Sequence, residues 1–117
     1  MTVKEFYDSI GSSYEDVIGS LLSDERIMKY LGKFNACDDV NILKAQLEEE
    51  NWEEAFRSVH SLKGMCLNLS LSSLAIASSN LCEELRHGKP EIDVWPLYES
   101  VVKEYELVHE GINKLLQ

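Results

Sequence analysis

Apolar residues recur every three or four positions along the chain, and no segment shows the strict alternation that is typical of a half-buried strand. This spacing predicts seven amphipathic helices. The connections between them are short, which favours antiparallel neighbours. We therefore expect an all-α fold, an antiparallel up-down four-helix bundle with additional short N-terminal helices.

Polar residues that cap helices stand at the predicted helix starts, because their side-chain oxygens accept hydrogen bonds from first-turn amides. Gly11 and Gly88 are expected to end helices. Pro96 falls in a first turn, where its missing N–H costs little. The residues expected at the starts are Thr2, Ser13, Ser23 or Asp24, Asp38–Asp39, Asn51, Ser72–Ser73 and Asp93.

The chain has 117 residues and a mass of 13.3 kDa, which is the size of one domain. It shows no linker and no internal repeat. We predict a single domain over residues 1–117, in which residues 1–22 form N-terminal capping helices and residues 23–117 form the bundle.

The charge of the chain is strongly acidic, with 21 Asp and Glu against 11 Lys and Arg, a net charge of −10 and an isoelectric point near 4.6. Nucleic acids are bound through clusters of Lys and Arg, and an anionic membrane surface repels an acidic protein. We therefore expect neither nucleic acid nor membrane as a partner, and we expect a monomer.

The three cysteines, Cys37, Cys66 and Cys82, lie among apolar residues and are predicted to be buried, reduced thiols. No C-x-x-C motif and no Cys/His pair at zinc spacing occurs. The chain also lacks a signal-peptide pattern and any apolar run near the ~20 residues of a membrane span. These features predict a cytoplasmic protein.

The most informative segment is the helix predicted from Trp52 to about Leu69. An apolar stripe marks its buried face, and His60 lies about 130° from the centre of that stripe, so that it should face water. Gly64 lies nearly opposite the stripe. The stripe consists of Ala55, Val59, Leu62, Cys66 and Leu69.

The neighbours of His60 favour a site over a simple surface histidine. Gly64 costs roughly 1 kcal/mol relative to Ala in mid-helix, and it removes a side chain beside the imidazole one turn away. Arg57 and Lys63 stand three positions before and after His60, where they could hold the oxygens of a phosphoryl group. The segment is therefore a candidate phosphoryl-binding site.

Phe56 and Leu67 lie off the buried stripe on the same side as His60. Together they would form a partly exposed apolar rim, as in a docking surface. Packing of Phe56 against a neighbouring helix is an equally good interpretation.

The run H-S-L-K-G at residues 60–64 resembles the signature of the histidine-containing phosphotransfer (HPt) domains of bacterial phosphorelays. The lead-in N-W-E-E-A-F-R-S-V, the following C-L-N-L and the later L-C-E-E-L-R-H-G are similar to the family as well. From about Glu25 to Gln117 the order and length of the predicted helices agree with the family.

The resemblance implies a phosphocarrier that accepts a phosphoryl group from a receiver-domain aspartate and passes it to another receiver aspartate. His60 would be the phosphorylated residue, Lys63 would interact with the phosphoryl group, and Gly64 would give the receiver access. The implied partners are receiver domains of response regulators or hybrid histidine kinases.

The predicted docking residues are Phe56, Arg57, Leu67 and Asn68. Leu67 departs from the family pattern, which often has a small residue there, and Ser70 stands where glycine is common. The departure at Leu67 bears on the shape of the docking face.

No cofactor is expected on this chain, and Mg²⁺ is expected only on the receiver, because no cluster of carboxylates accompanies His60. The sequence has neither a G-x-x-x-x-G-K motif nor a glycine-rich ATP lid. We therefore predict a phosphotransfer intermediate without kinase activity rather than an enzyme.

Other interpretations remain open at the level of sequence. The first is a helical interaction module without phosphotransfer, and another is an enzyme with His60 as general base. The phosphoacceptor domain of a histidine kinase also has an exposed helical histidine, but an acidic residue usually follows it, whereas Ser61 follows here. His87 is predicted to cap a helix C-terminus and His109 to be solvated.

Overall fold

The computed structural model describes all residues from 1 to 117 and contains seven α-helices and no strand, which confirms the all-α prediction. Their bounds are α1 Val3–Ser9, α2 Tyr14–Leu21, α3 Asp24–Ala36, α4 Asp39–Glu48, α5 Trp52–Asn68, α6 Ser72–Leu85 and α7 Trp95–Leu116.

Most of the predicted cap residues form N-cap hydrogen bonds at the helix starts. Thr2 forms a capping box with Glu5, and the side chains of Ser13 and Ser23 accept hydrogen bonds from the third amides of α2 and α3. Asn51 does the same for α5 by accepting from the Glu54 N–H at 3.4 Å. These short-range contacts explain why the helix boundaries can be predicted from the sequence.

One predicted cap forms no cap bond, and two predicted boundaries differ from the structure. Asp38 is the N-cap of α4 but forms no side-chain cap bond, and its Oδ1 accepts from the Asn41 side chain instead. Helix α7 begins after Val94 rather than Asp93, although Asp93 Oδ1 still accepts from the Trp95 N–H at 3.1 Å. Gly88 lies beyond the end of α6, in the left-handed region at φ 94°.

The last four helices form the predicted up-down bundle. Each of the pairs α4–α5, α5–α6, α6–α7 and α4–α7 is in contact, so the four helices surround one core. Helices α3 and α4 lie one after the other along α7. The side chain of Asn35 in α3 donates a hydrogen bond to Asn113 of α7, and the Tyr98 hydroxyl of α7 donates to the Val40 carbonyl of α4. The chain from α3 to α4 therefore runs antiparallel to α7, with a break at Cys37.

The N-terminal helices are packed onto the bundle. Phe6 and Tyr7 of α1 are fully buried, and the Tyr7 hydroxyl donates to the Leu69 carbonyl at the end of α5 over 2.7 Å. The Ser12 hydroxyl also accepts from the Ser72 N–H at the start of α6. Helix α1 thus covers the end of the bundle where α5 turns into α6.

The cysteine prediction is correct for two of three residues. Cys66 and Cys82 are fully buried, whereas Cys37 is exposed, and all three are free thiols. Helix α3 ends at Ala36, so Cys37 adopts an extended conformation and leaves the buried helical face that Phe34 occupies. The periodic pattern therefore does not extend to Cys37.

Close packing between α1 and α7 gives a stability prediction at Gly111. A Cβ atom there would lie 2.8 Å from Cε1 of the buried Phe6 ring. Overpacking of this kind costs about 1–3 kcal/mol, while Ala gains about 1 kcal/mol over Gly in a helix. We expect Gly111→Ala to lower the free energy of unfolding by about 1 kcal/mol in urea denaturation.

Gly32 supplies the matched control for that substitution. It also lies in a helix facing α7, but its added Cβ would meet only Leu116 Cδ1 at an ordinary 3.8 Å. Gly32→Ala should therefore keep or raise the stability. If the two variants proved equally stable, the Phe6 ring would not be held tightly against α7.

Candidate functional site

His60 faces solvent because the opposite side of helix α5 is buried in the core. His60 is exposed, while Val59 and Leu62 beside it are fully buried. The whole apolar stripe predicted for this helix is buried: Ala55, Val59, Leu62, Cys66 and Leu69. The direction of His60 therefore follows from burial of that stripe, as predicted.

Gly64 leaves open space one turn after the histidine. The residue is exposed, and no atom lies within 4 Å of the position that a Cβ would occupy. The glycine is therefore not required by packing inside this chain. Open space therefore lies on the exposed face of α5 one turn after His60.

The imidazole of His60 contacts two side chains. It stacks on the Phe56 ring with a centroid distance of 5.6 Å and an interplanar angle of 15°. Its Nδ1 lies 3.8 Å from Sγ of the buried Cys82 on α6. Side chains on a helix lean towards its N-terminus, which brings His60 back over Phe56 one turn earlier. Phe56 is thus half-buried against the bundle and also borders the site through its stack with His60.

Of the two predicted cations, only Arg57 forms an ion pair. Arg57 is exposed and its guanidinium pairs with Glu53, at 2.7 Å, and with Glu54. The same lean of helical side chains carries Arg57 away from His60 and brings Lys63, three positions later, towards it. In this structure the Arg57 guanidinium therefore lies against the preceding turn of α5, and its part in docking stays a prediction.

The second cation near the site is Arg86, which comes from the end of α6. Its guanidinium carbon lies 5.6 Å from the centroid of the Phe56 ring. Arg86 also donates two hydrogen bonds to Glu83, and these lower the pKa of that carboxyl group. The sequence pattern gave no role to Arg86, since only the antiparallel pairing of α5 with α6 brings it beside Phe56.

Two further predicted residues extend the surface towards the end of α5. Leu67 is 59% exposed, and Asn68 is exposed as well. Leu67 lies seven positions after His60 and therefore on nearly the same helical face. Leu67 and Asn68 also line a groove of about 560 Å³ between α5 and α3, together with Tyr30, Lys33, Phe34 and Met65.

The other two histidines lie away from this arrangement. His87 is exposed beyond the end of α6 and forms no hydrogen bond to cap it. His109 is half-buried against Tyr105, with ring centroids 5.9 Å apart, rather than solvated as expected. No group of three or more His, Cys, Asp or Glu side chains is arranged to hold a metal ion.

The site lies within the part of the chain that matches a known family. A family model described as "Hpt domain" matches residues 34–111, which include His60 and the side chains that contact its ring. No curated protein and no solved structure gave a match. None of the seven helices has the length and apolar content that crossing a membrane would require.

Proposed function

Since this chain belongs to the Hpt domain family and thus has a histidine phosphotransfer role in phosphorelays, we propose that His60 is the residue that carries the phosphoryl group. The observation that supports this most is the pairing of an exposed His60 with the open space at Gly64. Gly64 serves no packing contact, and His60 stays exposed although one face of its ring lies on Phe56. Both are needed if a second protein must reach the imidazole.

The transfer step follows from the chemistry of imidazole. The lone pair of a neutral ring nitrogen attacks the phosphorus of an aspartyl phosphate on a docked receiver domain. An N–P bond forms, the P–O bond breaks, and the receiver carboxylate leaves with the electron pair. Attack by the aspartate of a second receiver reverses these changes, so the chain takes up and gives away one phosphoryl group.

Lys63 and Arg86 supply positive charge beside the phosphoryl group in this proposal. The charges of both side chains oppose the rise in the pKa of the Cys82 thiol, and Cys82 contacts His60, which supports this assignment. Charge-assisted hydrogen bonds to phosphoryl oxygens are about twice as strong as neutral ones. Arg57 remains a proposed docking residue at the edge of the site, where it pairs with Glu53 and Glu54 of its own helix.

We assign the metal ion and most of the stabilisation of the transferring group to the receiver. The chain itself is then a phosphocarrier without kinase activity, with no cofactor of its own. Its partners are receiver domains of response regulators or hybrid kinases. The free thiols agree with a reducing compartment, and we propose the bacterial cytoplasm.

Receiver docking is led by apolar contact in this proposal. The chain has a net charge of −10, so long-range attraction to another acidic protein contributes little. Phe56 and the exposed Leu67 border His60 along one face of α5, and Asn68 follows Leu67 at the end of that face. A flat receiver surface can therefore cover His60, Gly64 and Leu67 together as one copy of this chain binds one receiver.

The test is a transfer assay with purified receiver domains that have been charged with radiolabelled acetyl phosphate. We expect label to appear on this chain, stable in base and labile in acid, as for a phosphorus–nitrogen bond. If no receiver from the source organism transferred label, the chain would be a helical binding module instead.

Substitution of Gly64 should separate access from stability. Gly64→Gln adds a side chain in the open space beside His60, and a displacement on the order of 1 Å of reacting groups can slow a reaction about a hundredfold. The fold should gain up to about 1 kcal/mol, because Gln is a better helix former than Gly. Transfer rates and urea denaturation measure the two effects.

Gly19 provides the control for that substitution. It is an exposed helical glycine of α2 with no atom near its added Cβ, as at Gly64, but it lies outside α5. Gly19→Gln should therefore change stability in the same direction and leave transfer unchanged. An equal transfer rate in Gly64→Gln and wild type would contradict the access role.

A further inference from the structure

The inner edge of the His60 ring faces a buried thiol. Nδ1 lies 3.8 Å from Sγ of Cys82, which is fully buried, and this is the one hydrogen-bonding contact that the ring makes. Stacking on Phe56 fixes the plane of the ring. With Nδ1 turned to the core, Nε2 is left at the outer end of the side chain.

We propose that Cys82 is a positioning residue for phosphotransfer: its sulfur accepts a hydrogen bond from Nδ1–H of His60 and so leaves Nε2 unprotonated at the surface. The inference rests on the proposed function and concerns how Cys82 holds the ring and its proton. A neutral imidazole carries one proton, and the nitrogen without it is the nucleophile. A histidine side chain in water favours the opposite form, with the proton on Nε2.

The ionisation of Cys82 favours this role. Burial raises the pKa of the thiol, and the opposing effect of Lys63 and Arg86 does not cancel the rise. The group is therefore a neutral thiol at pH 7. A thiolate beside the ring would draw a proton onto it and give imidazolium, which has no lone pair for attack. A neutral thiol is a weak donor as well as a weak acceptor, and in the proposed arrangement its sulfur accepts from Nδ1–H without changing the charge of the ring.

The same contact serves the phosphorylated state. When Nε2 forms the N–P bond, the receiver carboxylate leaves with the electrons of the P–O bond, and the ring keeps its proton on Nδ1. That proton then carries part of the positive charge of the ring. The sulfur of Cys82 remains in place to accept it.

Nitrogen NMR of the ¹⁵N-histidine-labelled chain tests the proposal without any partner. Nδ1 and Nε2 give separate signals whose shifts report which one is protonated, and comparison with His60→Gln assigns the His60 signals. We expect the Nδ1–H form in wild type and a shift towards Nε2–H in Cys82→Ala. Cys82→Ser, which keeps a polar acceptor farther from the ring, should lie between them.

Cys66→Ala is the matched control. Cys66 is also a fully buried thiol in the bundle, but it has no contact with His60, so the same loss of volume should leave the ring unchanged. An Nε2–H ring in wild type would overturn the proposal. So would a ring in Cys82→Ala that matches the one in Cys66→Ala.

Transfer rates then connect the ring to the reaction. If the reactive form falls from nearly all to about a third of the molecules, the rate from a charged receiver should fall about threefold. Cys66→Ala should transfer at the wild-type rate. If the proposed phosphotransfer function were wrong, wild type would take up no label, whereas the NMR result for the ring would be unaffected.

Discussion

Replacement of His60 by glutamine is expected to abolish phosphorylation of this chain. Glutamine retains a polar side chain of similar size on the exposed side of α5 but offers no nucleophilic nitrogen, because its amide lone pair is delocalised. The N–P bond then cannot form. The measurement is label on His60→Gln after incubation with the charged receiver that labels wild type.

The other two histidines supply the controls for this result. His87 is exposed beyond α6, and His109 is packed against Tyr105. His87→Gln and His109→Gln should each accept label at the wild-type rate, and all three variants should show the helical circular dichroism of wild type. Label that survives in His60→Gln would assign the phosphoryl group to another residue.

Phe6→Ala should cause the largest loss of stability among the substitutions considered. Phe6 is fully buried, and its ring lies against the backbone of Gly111 in α7 as well as edge-on to Tyr7. Removal of a buried Phe side chain costs about 3–5 kcal/mol, out of the 5–15 kcal/mol that holds a typical domain folded. Urea denaturation followed by circular dichroism measures the change.

Ile76 serves as the comparison for Phe6. It is a large apolar residue of α6 that is 64% exposed, so Ile76→Ala should change the free energy of unfolding by no more than about 0.5 kcal/mol. A similarly small change in Phe6→Ala would mean that α1 contributes little to the folded bundle. At temperatures where Phe6→Ala stays folded, we expect transfer to His60 at the normal rate, because α1 covers the far end of α5.

Local chemistry explains how much of the fold can be predicted. Cap residues act within three or four positions, so Thr2, Ser13 and Ser23 mark helix starts correctly. Where a boundary depends on packing between helices, as at Val94 in place of Asp93, the sequence gives only an approximate position. The same limit applies to Cys37, whose exposure follows from the end of α3.

The candidate site divides in the same way. His60 and Gly64 could be identified because both lie on one helix, where the period of 3.6 residues relates their directions to the buried stripe. The direction in which Arg57 leans could also have been foreseen from helix geometry, since Glu53 and Glu54 precede it by one turn. The contributions of Cys82 and Arg86 could not, because they belong to another helix.

The sequence by itself determined the seven-helix pattern, the family resemblance, the exposed histidine and the glycine beside it. These properties depend on contacts within one helix or one turn, and such contacts are set by residue spacing. Only the tertiary structure decided that Cys82 faces Nδ1 of His60 and that Arg86 lies beside the Phe56 ring. Cys82 follows His60 by 22 residues and Arg86 follows Phe56 by 30 residues, so only the antiparallel register of α5 against α6 brings these side chains together.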